Sequence, residues 1–360
     1  MAGTATVLTQ STSWWSTFIT SIIVRLFARG RKGMLSTGAF PHDATQAIPK
    51  SLSDKFGVEV TRYDFGSHPP SIATHLTEWT PLHLRRSRIP TSETKRTVFY
   101  LHGGAYQNAL TPVHWNFVAR LANDLNADIV VQTYTMIPYG GVHDVIPNLV
   151  EVFRAVHAQA KTHGHEVIVA GDSAGGGLSV ALTLALHQAT APLPDQLVLI
   201  APWLDLTASH PDIERYAKLD PWLKLETAHR LGPYWATGPL PMDQFLLESN
   251  SPPKARTDAH LEAMQHPLAS PLFAPDFAFL AKAGTRVTLI TGTHDMLYLD
   301  SETFVDRLKK AGVEFTFIRG PRCVHVYPIL VGAPLPSLLF RESEGGLRLL
   351  LDSVRRYTRT

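Results

Sequence analysis

Residues 167–179 read VIVAGDSAGGGLS, an apolar strand-like run that ends at a serine and passes at once into a helix-like stretch. Ser173 has a glycine two positions before it and another two positions after it. In a sharp turn from strand to helix, side chains at those positions would collide with neighbouring backbone, and Gly171 and Gly175 remove the collision. The hydroxyl of Ser173 is then exposed beside the first N–H groups of the helix. The pattern predicts a nucleophilic serine, although a glycine-rich turn with an incidental serine would look the same.

Strand-like and helix-like segments alternate along the chain from residue 97 onward. We expect strands at 97–101, 127–134, 165–171, 196–203, 286–292 and 313–320, and helices at 114–126, 145–160, 178–189, 301–312 and 346–358. Such alternation predicts an α/β fold, a mostly parallel central sheet with helices on both faces. Ligands bind beyond the carboxyl ends of the strands in these sheets, so functional residues are expected directly after strands.

Two regions, residues 1–60 and 204–285, interrupt the alternation. The second separates two strands by far more than an ordinary connection and is rich in Pro, Trp and Tyr. A long surface excursion is one interpretation. We prefer a helical cap made of both regions, because both are aromatic and too apolar for solvated loops. The predicted organisation is an N-terminal cap segment (1–60), a first core part (61–203), a cap insert (204–285) and a second core part (286–360).

The composition restricts the class of partner and the compartment. Apolar residues make up 44% of the 360 residues and charged residues only 18%, which favours a large core. The formal net charge is +2, so nucleic acid is not an expected partner. A single cysteine, Cys323, excludes an intramolecular disulfide and a cysteine-rich metal site. It fits a reducing compartment, so we expect a cytoplasmic protein; no metal and no cofactor are expected.

The stretch WWSTFITSIIVRLF at residues 14–27 predicts a two-faced helix with one apolar stripe. It is too short and too polar on its other side to span a bilayer. We expect the helix to pack over the protein's own active site. The alternative is a membrane-surface helix or weak anchor, because the basic sequence RGRK follows at 29–32. A cleaved signal peptide is disfavoured, since the basic cluster follows the apolar stretch.

A serine hydroxyl needs a base to remove its proton and an acid to orient that base. The candidate acid is Asp295 in TLITGTHDML, directly after a predicted strand. Asp300 and Glu302 are competitors, but Asp300 fits better as the cap of the following helix. His294 is expected to be a neighbour of the site.

The candidate base is His325, a few residues after the last predicted strand. The chain has 17 histidines, so a histidine alone means little. His325 completes the chain order Ser, Asp, His with each member following its own strand.

The stretch YLHGGAYQNA at 100–109 predicts a site for the oxyanion of a tetrahedral intermediate. Gly103 and Gly104 let the backbone pass close to a substrate after a strand and before a helix. The candidate donors are the amides of Gly104 and Ala105, with Gly103 as a further possibility, and the amide of Ala174 after the nucleophile.

Together, HGGAY, GDSAGG, the Asp of THDML and the His of HVY resemble the hormone-sensitive-lipase type of α/β-hydrolase esterases, over roughly residues 97–330. The resemblance implies an α/β-hydrolase fold, the triad Ser173, Asp295 and His325, an oxyanion loop shaped by His102, and a cap built from both irregular regions. The third glycine of the family's HGGG is Ala105, which keeps its N–H and is expected to narrow the acyl pocket.

The predicted function is hydrolysis of a small or hydrophobic carboxylic ester through an acyl-enzyme. Acyl transfer, lactone or amide hydrolysis, or ring closure could use the same site, because only the second nucleophile or the substrate differs. A non-catalytic binding protein with this fold is disfavoured, since all three triad residues are present. The natural substrate and the oligomeric state stay open.

Overall fold

The computed structural model describes residues 3–30, 48–49, 51–70, 81–86, 94–249, 256–333 and 341–356. The strands within these ranges are β1 (Ala5–Thr9), β2 (Val58–Arg62), β3 (Leu82–Arg86), β4 (Arg96–Leu101), β5 (Ala127–Gln132), β6 (Glu166–Asp172), β7 (Gln196–Ile200), β8 (Arg286–Gly292) and β9 (Phe315–Gly320). They form one sheet in the order β1-β9-β8-β7-β6-β4-β5-β3-β2. All neighbouring pairs from β1 to β5 in this order are parallel, whereas β3 is antiparallel to both β5 and β2.

The helices of the described ranges are α1 (Trp14–Gly30), α2 (Ser51–Phe56), α3 (Pro112–Leu125), α4 (Val142–Thr162), α5 (Ser173–Gln188), α6 (Ile213–Leu219), α7 (Leu225–Thr237), α8 (Met242–Ser249), α9 (Asp258–Gln265), α10 (Ala278–Ala283), α11 (Tyr298–Lys310) and α12 (Arg341–Arg356). Successive side chains of a strand point to opposite faces of the sheet. In β4, Phe99 and Leu101 join an apolar cluster with α4 and α5, while Val98 and Tyr100 join one with α3 and α12. A mostly parallel sheet with helices on both faces is therefore confirmed.

The strands and helices predicted from residue 97 onward are all present, with shifted ends. The first part of the chain differs from expectation. Residues 5–9, assigned to the N-terminal cap segment, form β1, which pairs in parallel with β9 at the edge of the sheet. Its residues alternate between exposed and half-buried positions, so it lacks the continuous apolar run that marks a buried strand. β2, which pairs with β3 at the opposite edge, begins in the same segment and crosses the predicted boundary at residue 60.

The helix predicted within residues 14–27 forms as α1, but the part of its apolar stripe formed by residues 14, 15, 18, 19 and 22 is exposed rather than packed on the protein. The insert at 204–285 is helical and contains α6 to α10. Whether α1 and this insert act together as a cap over the active site stays a prediction.

Four of five consecutive parallel strands carry the predicted functional residues at their carboxyl ends. HGGA follows β4, Ser173 follows β6, Asp295 follows β8 and His325 follows β9. Because these strands and β7, which lies between β6 and β8, run parallel in one sheet, all four ends lie along one edge.

Candidate active site

Ser173 is the first residue of α5 and has a φ of 52°, in the left-handed region. A side chain at Gly171 would run into the carbonyl of Gly175, and one at Gly175 would run into the carbonyls of Leu101 and His102. The two glycines are therefore sterically required by this turn, as the sequence predicted. The carbonyl of Ser173 accepts a hydrogen bond from the amide of Trp203 at 2.8 Å, which fixes the turn against the segment after β7.

Ser173, His325 and Asp295 lie in one hydrogen-bonded chain. The Oγ atom of Ser173 is 2.9 Å from Nε2 of His325, and Nδ1 of His325 is 2.9 Å from Oδ2 of Asp295. All three side chains are buried. The other oxygen of Asp295 accepts the amide of Leu297 at 2.8 Å. With both carboxylate oxygens held, the orientation of the imidazole is defined before any substrate arrives.

The surroundings of His325 favour its protonated form. Burial alone lowers the pKa of His325, but the charge and hydrogen bond of Asp295 raise it, and Asp220 and Asp172 add to this effect. The result is a pKa above the ordinary value for histidine. A base of this kind readily accepts a proton from a neighbouring hydroxyl, because the imidazolium is stabilised as it forms.

The competing acids are placed elsewhere. Asp300 was expected to cap the helix after Asp295, and that expectation is wrong: α11 begins after Leu297, and Asp300 lies buried in its first turn. Burial and the charges of Asp205 and Asp295 raise the pKa of Asp300 well above its usual range, which favours the neutral form of this carboxyl. Glu302 instead accepts the hydroxyl of Tyr298 and pairs with Arg319, at 2.7 Å and 2.6 Å.

The oxyanion loop after β4 differs from expectation at one donor. The amide of Gly103 donates to Oδ1 of Asp172 at 2.9 Å, so it is not available to an oxyanion and leaves the donor set. The amides of Gly104, Ala105 and Ala174 stay in the predicted set. Gly104 has a φ of 124° and Ala105 a φ of 54°. Ala105 holds this left-handed conformation despite its methyl group, at a cost of about 1 kcal/mol.

Asp172 is a functional residue that the sequence analysis missed. Its carboxylate accepts the hydroxyl of Tyr100 at 2.5 Å and the amide of Gly103, and Nε2 of His114 lies 3.4 Å away. Burial raises the pKa of Asp172, but His114 and the hydrogen bonds lower it below its ordinary value overall. A buried charge so close to the nucleophile fastens the oxyanion loop to the serine turn. Its position beside Ser173 at the end of a buried strand was the available signal.

His102 supports the same loop from within the core. Burial lowers the pKa of His102 to about 4, so the ring is neutral. Nδ1–H donates to the carbonyl of Gly103 at 2.7 Å, and the ring stacks on Tyr134 at a centroid distance of 4.5 Å. The hydroxyl of Tyr134 donates to the carbonyl of His102 at 2.7 Å. The arrangement is consistent with the shaping role that the resemblance implies for His102.

A second carboxylate reaches the triad from the insert. Asp220 is buried, and its oxygens accept the amides of Met296 at 2.9 Å, Trp222 at 2.7 Å and Leu223 at 3.0 Å. Met296 directly follows Asp295, so Asp220 joins the insert to the loop that carries the triad acid. No sequence signal marked this residue, because its partner Met296 is remote in the chain.

Opposing electrostatic effects act on the carboxyl group of Asp220. Burial and repulsion from Asp295 raise the pKa of Asp220 to about 6, while attraction to His325 opposes the rise. Close by, the ring of Trp222 meets the ring of His325 edge-on at a centroid distance of 6.3 Å. The short segment from Asp220 to Leu223 therefore contacts both the acid loop and the base.

Aromatic side chains surround the serine turn on the side of the insert. The ring of Tyr106 stacks on Trp235 at a centroid distance of 3.9 Å and on Trp203 at 5.7 Å. The geometry thus brings together a serine hydroxyl, an imidazole, a carboxylate, backbone amides and aromatic rings. Across the described ranges, no group of three or more His, Cys, Asp or Glu side chains is arranged to hold a metal ion.

Comparison with known proteins agrees with this geometry. A family profile described as alpha/beta hydrolase fold matches residues 98–329. An acetyl-hydrolase of Streptomyces hygroscopicus is 30% identical over 243 residues, 66% of this chain and 70% of that protein. An esterase of Acinetobacter venetianus is 29% identical over 129 residues, 36% of this chain and 42% of that protein. A crystal structure of a hormone-sensitive lipase from a metagenome library superposes with a TM-score of 0.63 at 22% identity, covering 95% of this chain and 99% of that one.

Proposed function

The chain belongs to the α/β-hydrolase fold family, and from that premise we propose that it hydrolyses small carboxylic esters with Ser173 as nucleophile. The observation that carries this proposal is the hydrogen-bonded chain from Ser173 through His325 to Asp295 at the end of the sheet. Ester hydrolysis is also the activity in the names of the bacterial relatives.

In the first half of the reaction, Oγ of Ser173 forms a bond to the acyl carbon, and its proton passes to Nε2 of His325. The carbonyl electron pair moves onto oxygen, which the amides of Gly104, Ala105 and Ala174 receive. Asp295 stabilises the imidazolium and does not take its proton. The tetrahedral intermediate then collapses, the ester C–O bond breaks, and the alcohol leaves with the proton from His325.

In the second half, His325 removes a proton from water as its oxygen attacks the acyl carbon of the acyl-serine. A second tetrahedral intermediate collapses, the bond to Oγ breaks, and Ser173 recovers its proton. The carboxylic acid is released. An alcohol in place of water would give acyl transfer at the same site, so product analysis separates hydrolysis from transfer.

The substrate that we propose is an ester with a short, apolar acyl group such as acetyl. The methyl group of Ala105 stands where the related motif has glycine, which reduces the room beside the oxyanion amides. Trp222 next to His325 and the stack of Tyr106 on Trp235 offer apolar walls without a free charge. The name of the Streptomyces relative, an acetyl-hydrolase, points to the same acyl group.

A series of p-nitrophenyl esters from acetate to dodecanoate tests this proposal. We expect kcat/KM to be greatest for the shortest acyl groups. Ser173→Ala should abolish turnover and organophosphate labelling, because loss of a triad nucleophile costs on the order of 10⁶-fold. Turnover of the folded variant within tenfold of the parent would remove Ser173 from its role, and a preference for dodecanoate would overturn the short-acyl substrate.

We also propose that the protein contacts a membrane surface through residues 14–27. Among the helices of the described ranges, each is too short or too polar to cross a bilayer. The contact would therefore be peripheral, and its physical basis lies in the orientation of α1.

A further inference from the structure

Helix α1 is turned the opposite way from an ordinary surface helix. Its exposed face carries large apolar side chains, whose exposed fractions run from 38% to 66%: Trp14, Trp15, Phe18, Ile19 and Ile22. The face against the protein instead buries Thr17 and Thr20, which are 3% and 7% exposed. A helix packed only for the stability of this chain would present its apolar stripe to the core.

Besides Val24, which packs into the core, specific polar contacts fix the orientation of α1. At the start of α1, the amide of Ser13 donates to the carboxylate of Glu342 at 2.8 Å. Just before it, the side chain of Gln10 donates to the carbonyl of Glu342 at 2.7 Å and accepts the hydroxyl of Tyr327 at 2.8 Å. These bonds hold the helix so that its apolar stripe stays outward.

The exposed side chains form a continuous patch. The ring of Trp14 stacks on Phe18 at a centroid distance of 5.4 Å and meets Trp15 edge-on at 4.5 Å. Tryptophans are enriched at membrane interfaces, where one part of the ring is apolar and the other is wet. A large exposed apolar patch marks an interaction site, and a membrane surface is one partner that such a patch takes.

The charge around the patch favours an anionic partner. The first 42 residues contain Arg25, Arg29, Arg31 and Lys32 and not one Asp or Glu. Arg25 is exposed on the same side of α1 as the apolar stripe. Helices that lie in a membrane interface combine an apolar face with flanking basic residues, which attract acidic lipid headgroups.

We infer that α1 docks the protein onto the surface of an anionic lipid bilayer, with the patch of Trp14, Trp15, Phe18, Ile19 and Ile22 inserted among the headgroups. The inner face of α1 lies beside the active site, because Thr17 and Thr20 line a small cavity together with Cys323 and Val324, next to His325. Docking would therefore bring the site close to membrane-borne esters, a consequence that rests on the proposed esterase function.

Co-sedimentation with vesicles tests the docking directly. The full chain is mixed with vesicles of phosphatidylglycerol and phosphatidylcholine, and separately with vesicles of phosphatidylcholine alone. We expect the chain to pellet with the anionic vesicles, less so at high salt, with a blue shift of tryptophan emission. The triple variant Trp14→Ser/Trp15→Ser/Phe18→Ser should bind at least tenfold more weakly, and Arg25→Ser should bind more weakly at low salt.

The control is Leu247→Ser, which removes a side chain of α8 that is 71% exposed and should leave vesicle binding unchanged. Hydrolysis of a soluble ester by the triple variant at the parent rate shows that the variant is folded. Ser173→Ala should bind vesicles like the parent, so loss of the proposed esterase activity and loss of docking are separate outcomes.

Three results would overturn the inference. The first is recovery of the parent in the supernatant with both kinds of vesicle, and the second is pelleting of the triple variant like the parent. Sedimentation velocity without lipid could also show a dimer of the parent that the triple variant cannot form, and the patch would then belong to a second copy of the chain.

Discussion

Helices α5 and α1 use apolar side chains in opposite ways. From Ser173 to Leu186 every residue of α5 is buried, and its apolar surface packs between the sheet and α4. In α1 five large apolar residues, Trp14, Trp15, Phe18, Ile19 and Ile22, are exposed while two threonines and Val24 are buried. Helix α5 contributes to the stability of the fold and carries the nucleophile at its start. Helix α1 leaves exposed the apolar surface whose burial would stabilise it most.

The difference separates two tasks. Exposing a Trp or Phe side chain that could be buried forgoes about 1.5–3 kcal/mol. Several such side chains are exposed on α1. The hydrogen bonds to Glu342 and Tyr327 cannot offset their combined loss, because each contributes a net free energy of about 1 kcal/mol. We therefore expect substitutions around α5 to change the chemistry, and substitutions around α1 to change where the protein lies and how firmly its first residues are held.

The largest expected effect is at the acid of the triad. Asp295→Asn should lower kcat by about 10⁴-fold, because the amide cannot hold the imidazole in the tautomer that accepts the serine proton. Asp300→Asn should leave kcat within a few-fold, since Asp295 and not Asp300 holds the imidazole and burial already favours the neutral form of the Asp300 carboxyl. Steady-state kinetics of both folded variants on p-nitrophenyl acetate measure the difference. Equal losses of kcat in the two variants would show that Asp300 in α11 matters to catalysis as much as Asp295 does.

A smaller effect is expected where the insert meets the triad. Asp220→Asn replaces one acceptor oxygen with an NH₂ group, which cannot accept the amide of Met296. Losing a hydrogen bond to a charged group costs about 1.5–3 kcal/mol, so kcat should fall by about 10- to 100-fold. Asp212→Asn, an exposed position in the same insert, is the matched control and should be neutral.

The same variant has a distinct pH signature. His325 must be neutral to accept a proton, so activity is lost as the pH falls through its pKa. The charge of Asp220 contributes to raising that pKa, and the facing groups Asp295 and Asp172 are unchanged in the variant. The acid limb of kcat/KM for Asp220→Asn should therefore move to lower pH. A lower kcat with an unmoved acid limb would reduce Asp220 to a purely structural role.

How much the sequence could predict depends on how local each signal is. The turn around Ser173 is encoded within a few residues, and the predicted strands after residue 97 are continuous apolar runs, so both are recovered. β1 was missed because its residues are only half-buried at a sheet edge. Asp220 was missed because its partner Met296 is distant in sequence, and the engagement of the Gly103 amide depends on Asp172 in another strand.

The orientation of α1 is the clearest example of a feature that the sequence could not predict. Periodicity identified the apolar stripe correctly, since the residues at 14, 15, 18, 19 and 22 do share one face. An apolar stripe in a sequence does not indicate what it contacts. The expectation that it packs over the active site rested on the general tendency of apolar surface to be buried. The contacts of Gln10 and Ser13 with Glu342, which turn the stripe outward, connect opposite ends of the chain.

A moderate effect on selectivity is expected at the oxyanion loop. Ala105→Gly removes a methyl group from a residue with a φ of 54°, which relieves backbone strain and widens the space beside the donor amides. The ratio of kcat/KM for hexanoate over that for acetate should rise by about three- to tenfold, as one methyl group in a pocket is worth about 1 kcal/mol or more. An unchanged ratio in esters of matched leaving group would place the acyl pocket elsewhere.

The smallest effect on chemistry is expected where α1 is attached. Gln10→Ala removes the bonds to Glu342 and Tyr327 and leaves the buried hydroxyl of Tyr327 without this acceptor. The free energy of unfolding should fall by about 1–3 kcal/mol, a decrease of a few degrees in Tm. Turnover of a soluble short ester should stay within twofold of the parent, because no group of the triad moves. Thr9→Ala, at an exposed neighbouring position, should change neither quantity. A large loss of kcat in Gln10→Ala would mean that α1 helps to form the active site itself, and the separation between α5 and α1 would then fail.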